Sequence, residues 1–313
     1  MDPGEALIAV RFALYLDMML VFGLPLFSLY TWRGGRQQGS SGAISAGMLT
    51  TLLLSGAALS VLGLLLLAAA MSDVTIAQLD RETLHALLDG TAIGTVGKIR
   101  IFALLAALPI SFRLIANPRA RWAIQSGLGA VALGSLAWTG HGAADEGFGG
   151  VVHLAADIVH LLAAGIWVGA LAGLLLIVRR ARVECGDRQA RVASAHRALA
   201  GFSNVGTVSV GLIILTGLVN SWFLVGVGNV ASLTASDYGR LLLAKLLLFA
   251  GMIGLAGLNR FKLTSAISAA SGVATAAKSM RNIGRSVALE AGLALTVLGL
   301  VAWLGTLAPP VSG

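Results

Sequence analysis

The chain has 313 residues, of which 57% are apolar and 12% are charged, and its mean hydropathy is +0.87. A soluble protein of this size needs a charged shell, which so few charges cannot form, so lipid must be the solvent for most of the surface. The net charge of +8 is better explained by membrane topology, argued below, than by nucleic acid binding. The single cysteine, Cys185, excludes an intrachain disulfide and a cysteine-based metal cluster within one chain.

Apolar runs of about 20 residues, the length that crosses a hydrocarbon core of roughly 30 Å, recur along the chain. The first run follows an acidic start, Met1–Glu5, and is too long for the apolar part of a signal peptide, so we interpret it as a span. In chain order, the predicted spans cover residues 5–31, 47–71, 98–116, 121–141, 152–178, 202–226, 238–258 and 285–307. The sequence therefore predicts an all-α polytopic membrane helix bundle with eight transmembrane helices.

Charged residues divide the connections between these spans into two classes. Segments 32–46, 113–121, 179–201 and 259–285 are rich in Arg and Lys. The alternate connections are poor in bases and carry Asp73, Asp80, Glu82, Asp89, Asp145, Glu146 and Asp237. Because basic loops stay in the cytoplasm, this alternation predicts that the N- and C-termini both lie outside it.

The chain is predicted to form one transmembrane domain, 1–313, with a weak internal repeat. Val96–Arg100 opens the third span and Tyr238–Leu242 opens the seventh, each with a Gly followed by a base. Units of four helices, 1–141 and 152–313, would form a parallel repeat, because an even number of crossings restores the orientation. Chance is the alternative, since a Gly and a base often meet at helix ends.

In the outer loop, 72–97, we predict a short amphipathic helix at about 76–88.

Polar side chains form a stripe along the fifth span. His153, Asp157, His160 and Trp167 are spaced i, i+4, i+7 and i+14, which places them on one face of a helix. The stripe runs inward from the outer end, and His160 lies about 10 Å below His153 at the helical rise. His141 ends the fourth span a short loop away, so three of the five histidines gather at the outer ends of neighbouring helices.

This grouping predicts a metal site at the extracytoplasmic rim. Neutral imidazole is the commonest metal-binding side chain, and a carboxylate such as Asp157 would orient it or act as a ligand. Met71, at the outer end of the second span, and Met18, in the first, add thioethers, which together with imidazole suit copper, particularly Cu(I). The alternative is that the histidines cap helices or bond to other helices, and that the methionines fill the core or face lipid.

Other polar groups within the spans need partners in lipid. Thr216 and Asn220 lie one turn apart in the sixth span. Lys245, in the seventh, falls at about the depth of Asp157 and His160, which favours an ion pair with Asp157. Structural pairing between helices is the alternative to an ion pathway. The candidate pathway residues are Asp17, Asn220, Lys245 and Glu290.

Common signatures of enzymes are missing from the sequence. There is no P-loop, and neither Gly-x-Ser-x-Gly nor His-Glu-x-x-His occurs. The Arg-rich segment 179–197 is explained as topology charge at the cytoplasmic surface, and Cys185 within it as incidental. We therefore predict a protein that is not an enzyme.

Several motifs in the second half of the chain form a recognisable set. They are Gly140-His141-Gly142, HLAADIVHLLAAGIWVG from His153 to Gly169, Thr216-Gly217-Leu-Val-Asn220-Ser-Trp222, Asp237–Lys245, Asn259-Arg260 and Glu290. Together they resemble the CopD family of bacterial copper resistance and copper homeostasis inner-membrane proteins. The resemblance implies an eight-helix, multi-pass protein of the bacterial plasma (inner) membrane, with periplasmic termini, that handles periplasmic copper. It supports His141, His153 and His160 as candidate ligands. It also implies a small periplasmic copper carrier, CopC, as a separate partner, since no such domain is fused here.

Three functions follow as hypotheses. The first is a copper-binding protein that accepts Cu(I) or Cu(II) at the outer rim and passes it inward. The second is a redox helix bundle that binds haem b, with His141 or His153 as an axial ligand, although six of the eight predicted spans contain no histidine. The third is a scaffold that senses copper without conducting it. Membrane lipid is the expected partner in each and nucleic acid in none, and the oligomeric state stays open.

Overall fold

The computed structural model describes residues 3–31, 44–112, 114–140, 147–183, 188–226, 228–229, 232–258 and 273–310, which are helical apart from short turns and contain no strand. Within them, side chains are described except at 3, 180–183, 188–203, 232, 258, 273–281 and 283. In chain order the helices are α1 (Pro3–Thr31), α2 (Ala46–Met71), α3 (Arg81–Gly90), α4 (Ala92–Ser111), α5 (Pro118–Gly134), α6 (Gly147–Val183), α7 (Arg188–Leu224), α8 (Ser232–Ala235), α9 (Asp237–Leu258) and α10 (Val273–Leu304). Two short 3₁₀ helices, Ile76–Gln78 and Ser135–Thr139, precede α3 and follow α5.

Among the described residues, seven helices are long and apolar enough to cross a membrane: α1, α2, α4, α6, α7, α9 and α10. This confirms the predicted all-α polytopic bundle. The fourth predicted span, 121–141, corresponds to α5, with 17 residues, and to the 3₁₀ helix of 5 residues that continues it. Eight crossings and periplasmic termini stay predictions.

Capping side chains set the helix boundaries and move two of them away from the expected positions. The third predicted span, 98–116, begins earlier, at Ala92, because Thr91 Oγ1 accepts a hydrogen bond from the Gly94 amide at 3.0 Å. The predicted helix at 76–88 is divided, because Asp80 accepts from the Thr83 amide at 2.7 Å and starts α3 at the next residue. Hydrogen bonds from the backbone and hydroxyl of Thr83 hold the pKa of Asp80 below its ordinary value.

Helices α1 and α6 form the centre of the bundle. α1 packs against α2, α5, α6 and α10, and α6 also packs against α5, α7 and α10. The two helices touch backbone to backbone, because a Cβ added to Gly23 would overlap Gly165 and Gly169. Small residues allow such close approach in lipid, where packing rather than water drives helix association. This contact fixes how far α1 and α6 are displaced along each other.

Polar side chains in the N-terminal bundle, defined as α1, α2, α4 and α5 with the 3₁₀ helix that continues α5, are held by hydroxyl groups of neighbouring elements. Asp17 accepts a hydrogen bond from Ser55 Oγ at 2.7 Å. Arg100 is 2% exposed and donates from Nε to Ser135 Oγ at 2.8 Å and from Nη2 to the Ser135 carbonyl at 3.4 Å. The neighbouring helices therefore enclose these groups.

Candidate metal centre

The polar stripe of α6 meets a matching pair of polar side chains on α7. The His160 Nδ1 and Thr216 Oγ1 atoms lie 3.0 Å apart, and Asn220 donates from Nδ2 to Asp157 Oδ1 at 3.3 Å. The order is reversed on the two helices, as expected for an antiparallel pair. The one-turn spacing seen in each sequence segment therefore becomes a pair of contacts between two helices.

The hydrogen bond of His160 determines which ring nitrogen can bind a metal ion. The Thr216 hydroxyl has one hydrogen, which it donates to the Leu212 carbonyl at 2.6 Å. Its oxygen is therefore able to accept the Nδ1–H of His160, which is the tautomer that leaves the lone pair on Nε2, and the ring also bonds to the Ile213 backbone. Metal-ligating histidines are commonly oriented in this way, through a hydrogen bond from the second ring nitrogen.

His153 lies two turns further out on α6 and is enclosed by α7. Its side chain is 2% exposed, and its ring stacks on that of Phe223, with centroids 4.8 Å apart and planes 7° apart. It also lies within electrostatic range of Asp157. The two histidines thus lie on either side of Asp157 along the helix, in different surroundings.

Asp157 lies where α1, α6, α7 and α9 converge. Besides its bond to Asn220, it interacts electrostatically with Lys245 and Tyr238 on α9 and with Tyr15 on α1. The Asn220 Oδ1 atom is buried and has no hydrogen-bond partner among the residues that the structure describes. This junction therefore contains a carboxylate, an amine and an unsatisfied amide oxygen within the membrane-spanning part of the protein.

A cavity of about 510 Å³ opens beside this junction, and α1, α6, α7, α9 and α10 all contribute to its walls. Most of the lining is apolar, with His160 and Lys245 among its polar groups. Two thioethers, Met19 on α1 and Met252 on α9, also line it, as does the Trp167 side chain. His160 therefore borders space that an ion can enter.

The other predicted ligands lie elsewhere. Met18 is fully buried, with its terminal methyl group next to Gly56 of α2, and does not line the cavity. Met71 is 65% exposed at the end of α2. His141 lies outside the described residues. Neither methionine is thus brought to His160, and the role of His141 stays a prediction.

Three further polar residues, Asp17, Glu290 and His85, are also separate from the cavity lining. Asp17 belongs to the N-terminal bundle, and Glu290 is 4% exposed on α10. His85 lies on α3 with its Nδ1 2.8 Å from Asp89, which also accepts from Lys98 Nζ at 2.8 Å. The hydrogen bond from Lys98 holds the pKa of Asp89 below its ordinary value.

In the part of the chain that the structure describes, no three His, Cys, Asp or Glu side chains gather as a metal site. His153, Asp157 and His160 follow one another along α6 instead. Sequence reasoning missed Met19 and Met252, the thioethers of the cavity. Adjacent methionines in an apolar helix differ in the direction that they face, and Arg11 and Tyr15, which precede Met19 at intervals of four residues, were the signal that could have indicated it.

Two family models match separate parts of the chain. The model described as "Copper resistance protein D-like, N-terminal domain" matches residues 1–151, and the model "Copper resistance protein D" matches residues 196–304. A protein named copper resistance protein D, from Pseudomonas syringae pv. tomato, is 44% identical over 305 residues, which cover 96% of each chain. The chain belongs to the copper resistance protein D family. The resemblance noted from the motifs is thereby confirmed.

A more distant relative matches only part of the chain. Copper transport protein CutJ from Bacillus subtilis (strain 168) is 33% identical over 123 residues, which are 39% of this chain and 21% of CutJ. No solved structure matches the chain.

Proposed function

We propose that this protein takes up copper from the periplasmic side of a bacterial inner membrane and moves it across, as part of copper homeostasis and resistance. Membership of the copper resistance protein D family supports the choice of metal. The observation that carries the proposal is the placement of His160, which contacts Thr216 through Nδ1 and borders the cavity, so that Nε2 would be the metal-binding nitrogen.

The polar groups of α6 act in order of depth. His153, together with His141, receives the ion at the outer rim, and His160 takes it at the cavity. Asp157 supplies negative charge between the two histidines. Lys245 neutralises Asp157 while the site is empty, so an incoming copper ion competes with this amine for the carboxylate.

The same proposal includes a topology and a partner. Alternating basic and acidic connections support eight crossings, with both termini and the outer ends of α6 and α9 in the periplasm. A separate CopC-like copper carrier would deliver the ion there. We expect cysteines introduced in segment 72–90 to react with an impermeant thiol reagent in intact spheroplasts, and cysteines in segment 262–272 to react only after lysis.

Copper binding by the purified full-length protein tests the proposal. We expect binding of at least one Cu(I) ion per protein in competition with a chelator. His153→Ala and His160→Ala should each weaken it at least about tenfold, or ~1.4 kcal/mol. His85→Ala is the matched control, because this histidine is exposed on α3 and bonded to Asp89. Wild-type affinity in both α6 variants would eliminate this site.

Two further measurements separate transport from the other hypotheses. Sealed vesicles should accumulate copper in a manner that depends on His160. Binding without accumulation would indicate a copper-sensing scaffold. A Soret band in the visible spectrum of the purified protein would indicate a haem-binding redox bundle instead.

A further inference from the structure

The cavity continues inward beyond His160. Along α6 its lining extends from His160 to Val168, about 12 Å along the helix axis, in a hydrocarbon layer of roughly 30 Å. Apart from His160 and Lys245, the inner walls are almost entirely apolar. A desolvated cation is strongly disfavoured in such surroundings unless side chains bind it.

One thioether lies directly below His160. α1 and α6 run in the same direction, because Tyr15 interacts with Asp157 while Gly23 touches Gly165 and Gly169 further along. Met19 is one turn outward from Gly23. This register places Met19 between the levels of His160 and Gly169 in the membrane. The Met19 side chain lines the cavity.

A second thioether lies at the next level. Met252 is seven residues after Lys245 on α9, and this spacing keeps both on the face that lines the cavity. Met252 packs in one apolar cluster with Trp167 and Ala294, which also line the cavity. The soft ligands therefore follow in order of depth, with the imidazole first and the two thioethers next.

We propose that Met19 and Met252 form a second binding site for copper, selective for the monovalent ion, in the inner part of the cavity. The inference rests on the proposed function, since it extends the path that begins at His160. Thioethers favour Cu(I) over harder cations, and the unbranched methionine side chain adapts its position readily. The ion is passed on as Cu(I), without a redox step. Met19 and Met252 thus take the role that the sequence assigned to Met18 and Met71.

The test is the stoichiometry of Cu(I) bound by the purified full-length protein without oxygen, in competition with a chelator. We expect two bound ions for the wild type. The double variant Met19→Leu/Met252→Leu should bind one, and X-ray absorption should show loss of copper–sulfur scattering. His160→Ala should also bind one, with that scattering retained. Leu keeps the side-chain volume closely enough for the fold to persist.

The matched control is Met18→Leu, because Met18 is adjacent to Met19 but lies against α2 rather than the cavity. It should keep both ions and the full sulfur signal. Ag(I), which is soft and inert to oxidation, should give the same pattern. Equal stoichiometry and sulfur scattering in the wild type and the double variant would overturn this inference alone. A wild type that binds no copper would overturn the proposed function as well.

Discussion

The N-terminal bundle and the region around the cavity differ in how their intramembrane polar groups are packed. Arg100 is enclosed by its neighbours, with both of its hydrogen bonds made to Ser135. His160 and Lys245, in contrast, border a cavity of about 510 Å³. Both regions consist of apolar helices, so hydropathy does not distinguish them. The difference lies in whether neighbouring side chains fill the space beside a polar group, and under the proposed function it separates a scaffold from a path.

Gly169→Ala tests the contact that joins the two regions, and we expect it to have the largest effect. Its Cβ would overlap the Gly23 backbone, which should cost about 3 kcal/mol or more of stability. Thermal unfolding in detergent, followed by size-exclusion chromatography, measures the loss. Gly254→Ala on α9 is the control, because an added Cβ there meets nothing within 4 Å. Because alanine has a higher helix propensity than glycine, Gly254→Ala should be as stable as the wild type or slightly more stable. Equal melting temperatures for Gly169→Ala and Gly254→Ala would contradict the packing argument.

Ser135→Ala tests whether the N-terminal bundle is only a scaffold. It leaves the buried Arg100 Nε without its hydroxyl partner, which should cost about 2 kcal/mol. Copper affinity should not change. Ser60→Ala is the control, because Ser60 is equally buried but bonds only to the Gly56 carbonyl of its own helix. A change in copper affinity with unchanged stability would place Ser135 in the path instead.

Ala164→Leu fills part of the cavity and tests whether its space is used. We expect copper uptake by vesicles to fall about tenfold, equivalent to ~1.4 kcal/mol in the barrier. The melting temperature should be retained, since the new side chain enters open space. Ala163→Leu gives the opposite expectation, because Ala163 is 1% exposed in the packed core and overpacking there should lower stability. Undiminished uptake by correctly folded Ala164→Leu would argue against the cavity as a path.

Asp89→Asn should have the smallest effect, since its partners lie at the exposed outer surface. Because Lys98 lowers the Asp89 pKa from 3.8, the carboxylate stabilises the fold above that pH, and this contribution is lost as the pH falls through the lowered value. At neutral pH we expect the melting temperature of the variant to be lower than that of the wild type by at most about 2 °C. The difference from wild type should disappear in strong acid, and a difference that grew there would show the opposite linkage.

The sequence predicted the helical bundle and marked the polar side chains of α6 and α7, because lipid penalises each unpaired polar group, but it did not pair them across the two helices. It placed Arg100 near the end of a span, whereas the Thr91 cap starts α4 earlier and puts Arg100 two turns inside. It selected Met18, whereas the structure places the adjacent Met19 in the lining of the cavity. In an apolar helix the direction of each side chain is set by tertiary contacts, and here the backbone contact at Gly23 sets it.

That contact also has a mechanical consequence. With no side chains between the backbones at Gly23 and Gly169, a slip of one residue along the axis would force a side chain of one helix into the main chain of the other. The bundle can tilt or splay around this point, but α1 cannot shear past α6. The distance between Met19 and His160 along the helix axes therefore stays constant when the surrounding helices move.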